Sequence, residues 1–395
     1  MAHCRKPPQL VKLIILIRRN QLLSMIFFIN CSNLKAGGGL QVADSICSQL
    51  NRFSQHKFVV VLPSKMESTK ERIKRFSNVD IYTYEIPNSI KTILWGRDEF
   101  LDNLADANNV NAVLSVFGPS RWCPKVPHLS GFAMAQMVIL DSPFYSKKSL
   151  GESIRWSIWR NVRKWLFQNS AKYFWTENPY ISEKLKKLLT NKEVYTVTNY
   201  YNQVFDNPDA WSRTVVLPEF DGTTCLSIST HYPHKNFEIL IDTVRVLKAK
   251  HPEFKIRFVL TFSENEMPVP SDIKDCFVFI GRVNVEECPN LYEQCDIMFM
   301  PTLLECFTAT YPEAMRMEKP IVTTDLEFAR GLCGDAACYY SAIDPKAAAE
   351  AIYKVATDKA YAATLVANGK EQLNKFDNYV QRANKLINLL EKISK

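Results

Sequence analysis

The chain lacks most of the short spacings from which ligand chemistry is usually read. Its eleven cysteines include no Cys-x-x-Cys pair, and no Cys/His spacing typical of zinc occurs. No Asp-x-Asp pair of the kind that holds a divalent ion occurs. The glycines after the first strand-like run do not form G-x-G-x-x-G, and no acidic residue is well placed for an adenosine ribose, which disfavours a nicotinamide-dependent dehydrogenase. Zinc-finger spacing and an RNA-binding aromatic signature are missing, so nucleic acid is not expected as a partner. No short repeat or long low-complexity segment interrupts the chain.

What is present fits a soluble globular protein. Apolar residues make up 47% and charged residues 23% of 395 positions. At roughly 100–200 residues per domain, that length implies two domains with cores needing no disulfide or metal. Cysteines scattered without a framework point to a reducing, cytoplasmic setting. The net charge of +8 leaves phosphorylated substrates and anionic lipid open as partners. In the basic extension, residues 1–24, the apolar run Leu13–Ile17 is closely flanked by Lys12, Arg18 and Arg19. It is too short to span a bilayer, and no suitably placed cleavage site follows it. A dispensable extension and a basic interfacial anchor are both open.

From Met25 onward, apolar strand-like runs alternate with helical spacing. Strands are expected at 25–30, 58–62, 81–84, 112–117, 137–140, 173–175 and 194–198, with a glycine loop at Gly37, Gly38 and Gly39 leading into a helix. The polar stretch 202–218 contains Asn207-Pro208 and marks a boundary. A second series follows, with strands at 224–228, 256–261, 278–280, 297–300 and 321–323 and helices at 237–249, 290–295, 312–317, 347–357, 361–376 and 380–395. Such alternation means α/β architecture with parallel sheets. The expected division is 25–203 and 204–376, with a C-terminal helix in 377–395.

The strongest chemical signal is Glu305-Cys306-Phe307-Thr308-Ala309-Thr310-Tyr311-Pro312-Glu313. It follows the strand-like run 297–300 and leads into a helix, where a parallel sheet binds ligands. The two carboxylates can accept hydrogen bonds from vicinal sugar hydroxyls, with backbone N–H groups between them for phosphate. Thr310 and Glu313 also fit a capping box, which leaves a purely structural Glu313 open. A second motif, Ser229–Asn236, places Lys235 between a strand and a helix, where it is either a phosphate-binding cation or an exposed lysine. His128, beside an expected turn, is either a site residue or a core histidine.

Glu305 and Glu313 with seven residues between them, then Ala314-Met315 and Lys319-Pro320-Ile321-Val322, resemble the E-x7-E motif of retaining GT-B glycosyltransferases, in the family called glycosyl transferases group 1. The resemblance covers most of residues 25–376. It implies two Rossmann-like domains facing a central cleft, the N-terminal one on the acceptor side and the C-terminal one binding a nucleotide-sugar. By resemblance, Glu305 contacts the transferred sugar and Glu313 the ribose. Lys235 and the N–H groups of Thr308 and Ala309 face the diphosphate, and Gly281 and Arg282 border the base. Gly38 and Gly39 border the diphosphate and the acceptor, and His128 contacts the donor sugar. Two positions depart from the family pattern: Thr308 stands where glycine is usual, and Thr230 where an arginine is usual. His231, His234 and Arg282 are open as the compensating cation.

The implied activity is hexosyl transfer with retained anomeric configuration, from a nucleotide-sugar to a glycan or lipid-linked acceptor such as a polysaccharide or lipopolysaccharide precursor. No metal and no cofactor are expected, because Lys235 and helix dipoles would replace the ion. A nucleotide-sugar epimerase and a non-catalytic nucleotide-sugar-binding protein are the alternatives. Finally, Arg155–Phe167 carries an apolar stripe of Trp156, Trp159, Val162 and Leu166 flanked by Arg155, Arg160, Arg163 and Lys164. It suits either an amphipathic helix on the cytoplasmic face of an anionic membrane or a helix packed on a sheet.

Overall fold

A computed structural model describes residues 24–395, apart from 36, 90, 91, 94, 147 and 148. The basic stretch 1–24 therefore lies almost wholly outside the described residues. Among the described residues, thirteen strands form two sheets. The first comprises β1 (Ile26–Asn30), β2 (Lys57–Leu62), β3 (Val79–Thr83), β4 (Ala112–Ser115), β5 (His128–Gly131), β6 (Tyr173–Thr176) and β7 (Glu193–Thr196). Its order is β3-β2-β1-β4-β5-β6-β7. The second comprises β8 (Thr223–Ser227), β9 (Ile256–Leu260), β10 (Phe277–Phe279), β11 (Ile297–Met300), β12 (Ile321–Thr324) and β13 (Ala337–Tyr340), in the order β10-β9-β8-β11-β12-β13. All the strand pairs with a defined register are parallel, including β8 with β11, where Cys225 lies opposite Ile297 and Leu226 opposite Met298.

Among the described residues the chain divides into two compact units, one running to Gly131 and taking in 169–173 and 383–395, the other of 132–168 and 174–382. In the first, Phe28, Val59, Val61, Leu101, Val113 and Trp122 form a buried cluster, with the Phe28 and Trp122 rings 5.1 Å apart. In the second, helices Ile239–Lys250 and Pro345–Thr357 bury Leu240, Val244, Leu247, Ala348 and Ile352 against Phe258, Phe299 and Val322 of the six-stranded sheet. Central strands of a parallel sheet are covered on both faces, and their near-continuous apolar sequences follow from that.

Three expectations fail locally. Residues 137–140 are not a strand: Ala135–Val138 is a short helix, because a four-residue apolar run carries no period to separate the two. His128–Gly131 is a strand rather than a turn. Gly131 is there because a Cβ would sit 1.8 Å from the carbonyl oxygen of Val116. The strand β13 lies in a stretch given no element by the pattern.

The helix Leu150–Ser170 extends well beyond the stretch singled out, and its outward stripe is different. Trp156, Trp159 and Leu166 are half-buried, while Leu150, Ile154, Ile158, Val162 and Trp165 are exposed at four- and three-residue spacing. Of the basic residues, Arg160 donates to the carbonyl of Met137 at 3.0 Å, and Arg163 lies over the Trp159 ring. Phe167 anchors the helix, 5.0 Å from the Phe132 ring.

Candidate nucleotide-sugar site

The six-stranded sheet reverses its strand order between β8 and β11. In open α/β sheets such a reversal opens a crevice outside the carboxyl ends of the two strands. The loop after β8 carries Lys235 and the loop after β11 carries Glu305, so topology alone brings the two motifs together.

Local chemistry then fixes them. After β8 the chain makes a turn at Pro233–Lys235 and closes it on Asn236 in the left-handed region (φ 56°), which asparagine tolerates. The helix Ile239–Lys250 follows. The carbonyl of His234 accepts from Leu303 N–H at 2.8 Å, and from the Thr302 hydroxyl at 3.4 Å, tying this turn to the loop after β11. That loop is held from three further points. Thr324 Oγ1 donates to the Thr302 carbonyl at 2.7 Å, Ser142 Oγ donates to the Leu303 carbonyl at 2.6 Å, and Thr302 Oγ1 donates to Glu305 Oε1 at 3.0 Å. Lys235 Nζ forms an ion pair with the same Glu305 oxygen, and both side chains are nearly buried, at 12% and 13% exposed. Such enclosure strengthens the attraction relative to a surface pair.

Beyond Glu305, among the described residues the N–H groups of Cys306, Phe307, Thr308 and Ala309 make no hydrogen bond. Thr308 turns its hydroxyl to Thr310 Oγ1 at 2.9 Å. The helix Thr310–Arg316 begins without a side-chain cap, so the capping box does not form. Instead Glu313 Oε2 lies 3.3 Å from the Tyr292 hydroxyl, which is also 3.2 Å from the Thr310 carbonyl. One phenolic proton thus serves two acceptors. Burial pushes the Glu313 carboxyl up to about 7, opposed by the Tyr292 hydrogen bond.

The other candidates are dispersed. His234 is largely enclosed beside Lys235 and Glu305; burial holds its pKa below the ordinary value, opposed by the Glu305 charge. His231 Nε2 is 3.0 Å from Glu238, and Arg282 is exposed. Gly281, after β10, has φ 73° and open space where a Cβ would be. Gly38 and Gly39 open the helix Gly38–Cys47 after β1, at the corresponding reversal of the first sheet. Gly38 has nothing within 4 Å of a built Cβ, and Gly39 has Leu34 and Phe117 at 3.5 Å. His128 departs from its expected place. It is the first residue of β5, at the strand's amino end, and both ring nitrogens are engaged, with the Ser170 carbonyl at 2.7 Å and Ser115 Oγ at 2.9 Å. Burial lowers its pKa to about 4, so it is a neutral core histidine. Sequence reasoning missed Thr302, Ser142 and Tyr292. Thr302, three residues before Glu305, was the one with a usable signal.

Residues 222–358 match the family model for glycosyl transferases group 1, and this segment contains Lys235, Glu305 and Glu313. A mannosylfructose-phosphate synthase from Agrobacterium fabrum is 26% identical over 152 residues, 34% of this chain and 33% of that protein. The chain thus spans about a third of that relative's length. A sucrose-phosphate synthase from Thermosynechococcus elongatus superimposes with a TM-score of 0.67 at 14% identity, covering 94% of this chain and 99% of the other. Anabaena HepE, solved in complex with UDP-glucose, does so with a TM-score of 0.64 at 13% identity, covering 93% and 99%. The class is therefore GT-B in fold. The family resemblance read from Glu305 and Glu313 is shown for the segment that carries them.

Proposed function

We propose that the protein is a glycosyltransferase that moves a hexosyl group from a nucleotide-sugar to a glycan or lipid-linked acceptor, with retention and without a metal. The observation that carries this reading is the arrangement at the strand-order reversal: the Lys235–Glu305 pair, four unbonded N–H groups, and a buried Glu313 with half a hydrogen bond. It presents a cation and amide donors for a diphosphate, with a carboxylate on either side for hydroxyls. The UDP-glucose named for one solved structure of the same fold, and the family match, support the same donor class.

In the proposed reaction the bond from the anomeric carbon to the diphosphate breaks. The acceptor oxygen bonds to that carbon on the same face, and its proton passes to a phosphate oxygen of the departing nucleoside diphosphate. Glu305 orients the sugar through its hydroxyls. Lys235, released from Glu305, meets the charge growing on the diphosphate, as do the N–H groups of Thr308 and Ala309. Glu313 accepts from the ribose. A thermal-shift screen of UDP-, GDP-, ADP- and CMP-sugars tests the donor class. A sugar at 100 times its Kd adds about 2.7 kcal/mol to stability, a shift of several degrees. No shift with any of the four, or a shift that survives Lys235→Ala undiminished, counts against the site.

The lipid-linked acceptor is supported by the outward stripe of the helix Leu150–Ser170, where five large apolar side chains share a face with exposed Arg155. No described helix is long and apolar enough to cross a membrane, so the proposed contact is peripheral, on the cytoplasmic face. In flotation with phosphatidylglycerol-containing liposomes, the wild type is expected to float and an Ile154→Glu, Ile158→Glu double variant to remain at the bottom. Equal flotation of the two would remove this stripe from the membrane contact.

A further inference from the structure

Glu177 is a buried carboxylate that the proposed reaction does not use. It immediately follows β6 and is 5% exposed, with Oε1 buried and, among the described residues, unpartnered. Its nearby opposite charge is Arg382, on the helix Tyr379–Ile393 and 2% exposed. Burial pushes the Glu177 carboxyl up to about 7, and Arg382 and Asn199 draw it back; burial pulls the Arg382 guanidinium down to about 10, and Glu177 and Asp377 oppose this. Neither charge is stable there without the other.

The same cluster reaches the segment between the two site glutamates. Arg382 Nη1 donates to Asn199 Oδ1. Asp377 Oδ2 accepts from both the N–H and the hydroxyl of Thr198 at 3.0 Å, and Asp377 N–H donates to Thr198 Oγ1 at 2.6 Å. Phe376, next in the chain, meets Phe307 edge to face, the centroids 6.0 Å apart. Phe307 is two residues after Glu305. Between them, the buried Cys306 thiol is pushed up by burial, with the Glu177 and Glu305 charges adding to the effect. Among the described residues, the one backbone hydrogen bond of the loop 306–309 is from Glu313 N–H to the Ala309 carbonyl at 2.9 Å. The loop leans on Phe376 and lies in the field of Glu177.

We infer that Phe376 and Arg382 are positioning residues for the segment Glu305–Ala309, Phe376 through the Phe307 ring and Arg382 through Asn199, Thr198 and Asp377, so that Glu305 and the loop N–H groups face their ligand. The consequence for transfer rests on the functional reading above; the positioning does not.

Cys306 reports the loop directly, since a thiol that is buried and held protonated reacts only when its segment opens. The experiment measures iodoacetamide labelling of the full chain by mass spectrometry of the peptides bearing Cys306, Cys225 and Cys333, the last two fully buried elsewhere in the same unit. Phe376→Ala is expected to label Cys306 about tenfold faster or more, with Cys225 and Cys333 unchanged. Phe376→Leu, which keeps an apolar contact, is expected to stay close to the wild type. An unchanged Cys306 rate in Phe376→Ala, or acceleration of all three cysteines together, overturns the inference. Calorimetry with UDP-glucose, GDP-mannose and ADP-glucose runs alongside. A wild type that binds none of them, together with selective Cys306 labelling, removes the functional reading and leaves the positioning standing. Where transfer is measured, Phe376→Ala is expected to lower kcat about tenfold at saturating donor, with KM nearly unchanged.

Discussion

Glu305→Gln is expected to lower the rate of transfer by about 10²–10³-fold, the size of effect seen when one preorganised polar group is removed from a reacting centre. The substitution is nearly isosteric, and Thr302 Oγ1 can still donate to the amide oxygen, so the loop after β11 keeps its path. What disappears is a negative charge with two jobs. In the free protein it neutralises Lys235 inside a nearly closed site. With donor bound, it would hold the sugar hydroxyls. Binding of the nucleoside diphosphate alone should therefore hold steady or strengthen in the variant, because Lys235 no longer has to leave a partner. Turnover falls while nucleotide affinity does not, and that divergence separates loss of a sugar contact from collapse of the site. Initial rates of nucleoside diphosphate release, paired with calorimetry on the nucleotide, read both quantities. A variant that transfers sugar within threefold of the wild type would falsify the role given to Glu305.

Lys235 and Glu305 each follow a strand-like apolar run that the sequence shows, but the strand order that brings the two together, reversing between β8 and β11, is seen only in the fold. Long periodic segments carried most of the fold: Ile239–Lys250 and Pro345–Thr357 show their apolar faces in the sequence itself. Short segments did not. Ala135–Val138 has only four residues, too few for a period to distinguish strand from helix, and β5 is interrupted by His128, Ser130 and Gly131, which read as a turn until the neighbouring strand's carbonyl explains the glycine. The fate of His128 is the same lesson in the site. A ring beside apparent turn residues leaves a site residue and a core histidine both open, because its partners Ser115 and Ser170 lie 13 and 42 residues away and nothing local announces them. Tyr292 was invisible for an equivalent reason: its hydroxyl matters only because the helix Cys288–Glu293 folds beside Thr310 and Glu313.

Glu313→Gln is expected to stabilise the protein at alkaline pH while weakening its hold on the nucleotide. Folded Glu313 has a pKa of about 7, raised from an ordinary 4.5 mainly by burial. The folded chain therefore binds this proton more tightly than the unfolded chain does. The corresponding stability is fully present below pH 4.5 and is lost as pH rises through 7, amounting to about 3 kcal/mol across the interval. Glutamine does not ionise, so the variant escapes that loss. Urea melts near pH 4.5 and at pH 8 should show the two proteins alike at the first and the variant more stable at the second. Glu177, which also titrates near 7, contributes equally to both curves and drops out of the difference. Ligand binding runs the other way. A carboxylate can accept from both hydroxyls of a ribose, whereas the amide has one acceptor and turns an NH₂ toward the second hydroxyl. Losing a hydrogen bond to a charged group costs about 1.5–3 kcal/mol, or roughly 10–100-fold in affinity. Wild-type affinity should climb as pH rises through 7, where the carboxylate forms, and the variant's should stay flat. A carboxylate that sacrifices stability in the free protein and recovers it only with a diol bound is a binding group; superimposable pH–stability curves and unchanged nucleotide affinity would instead make Glu313 a passive part of the core.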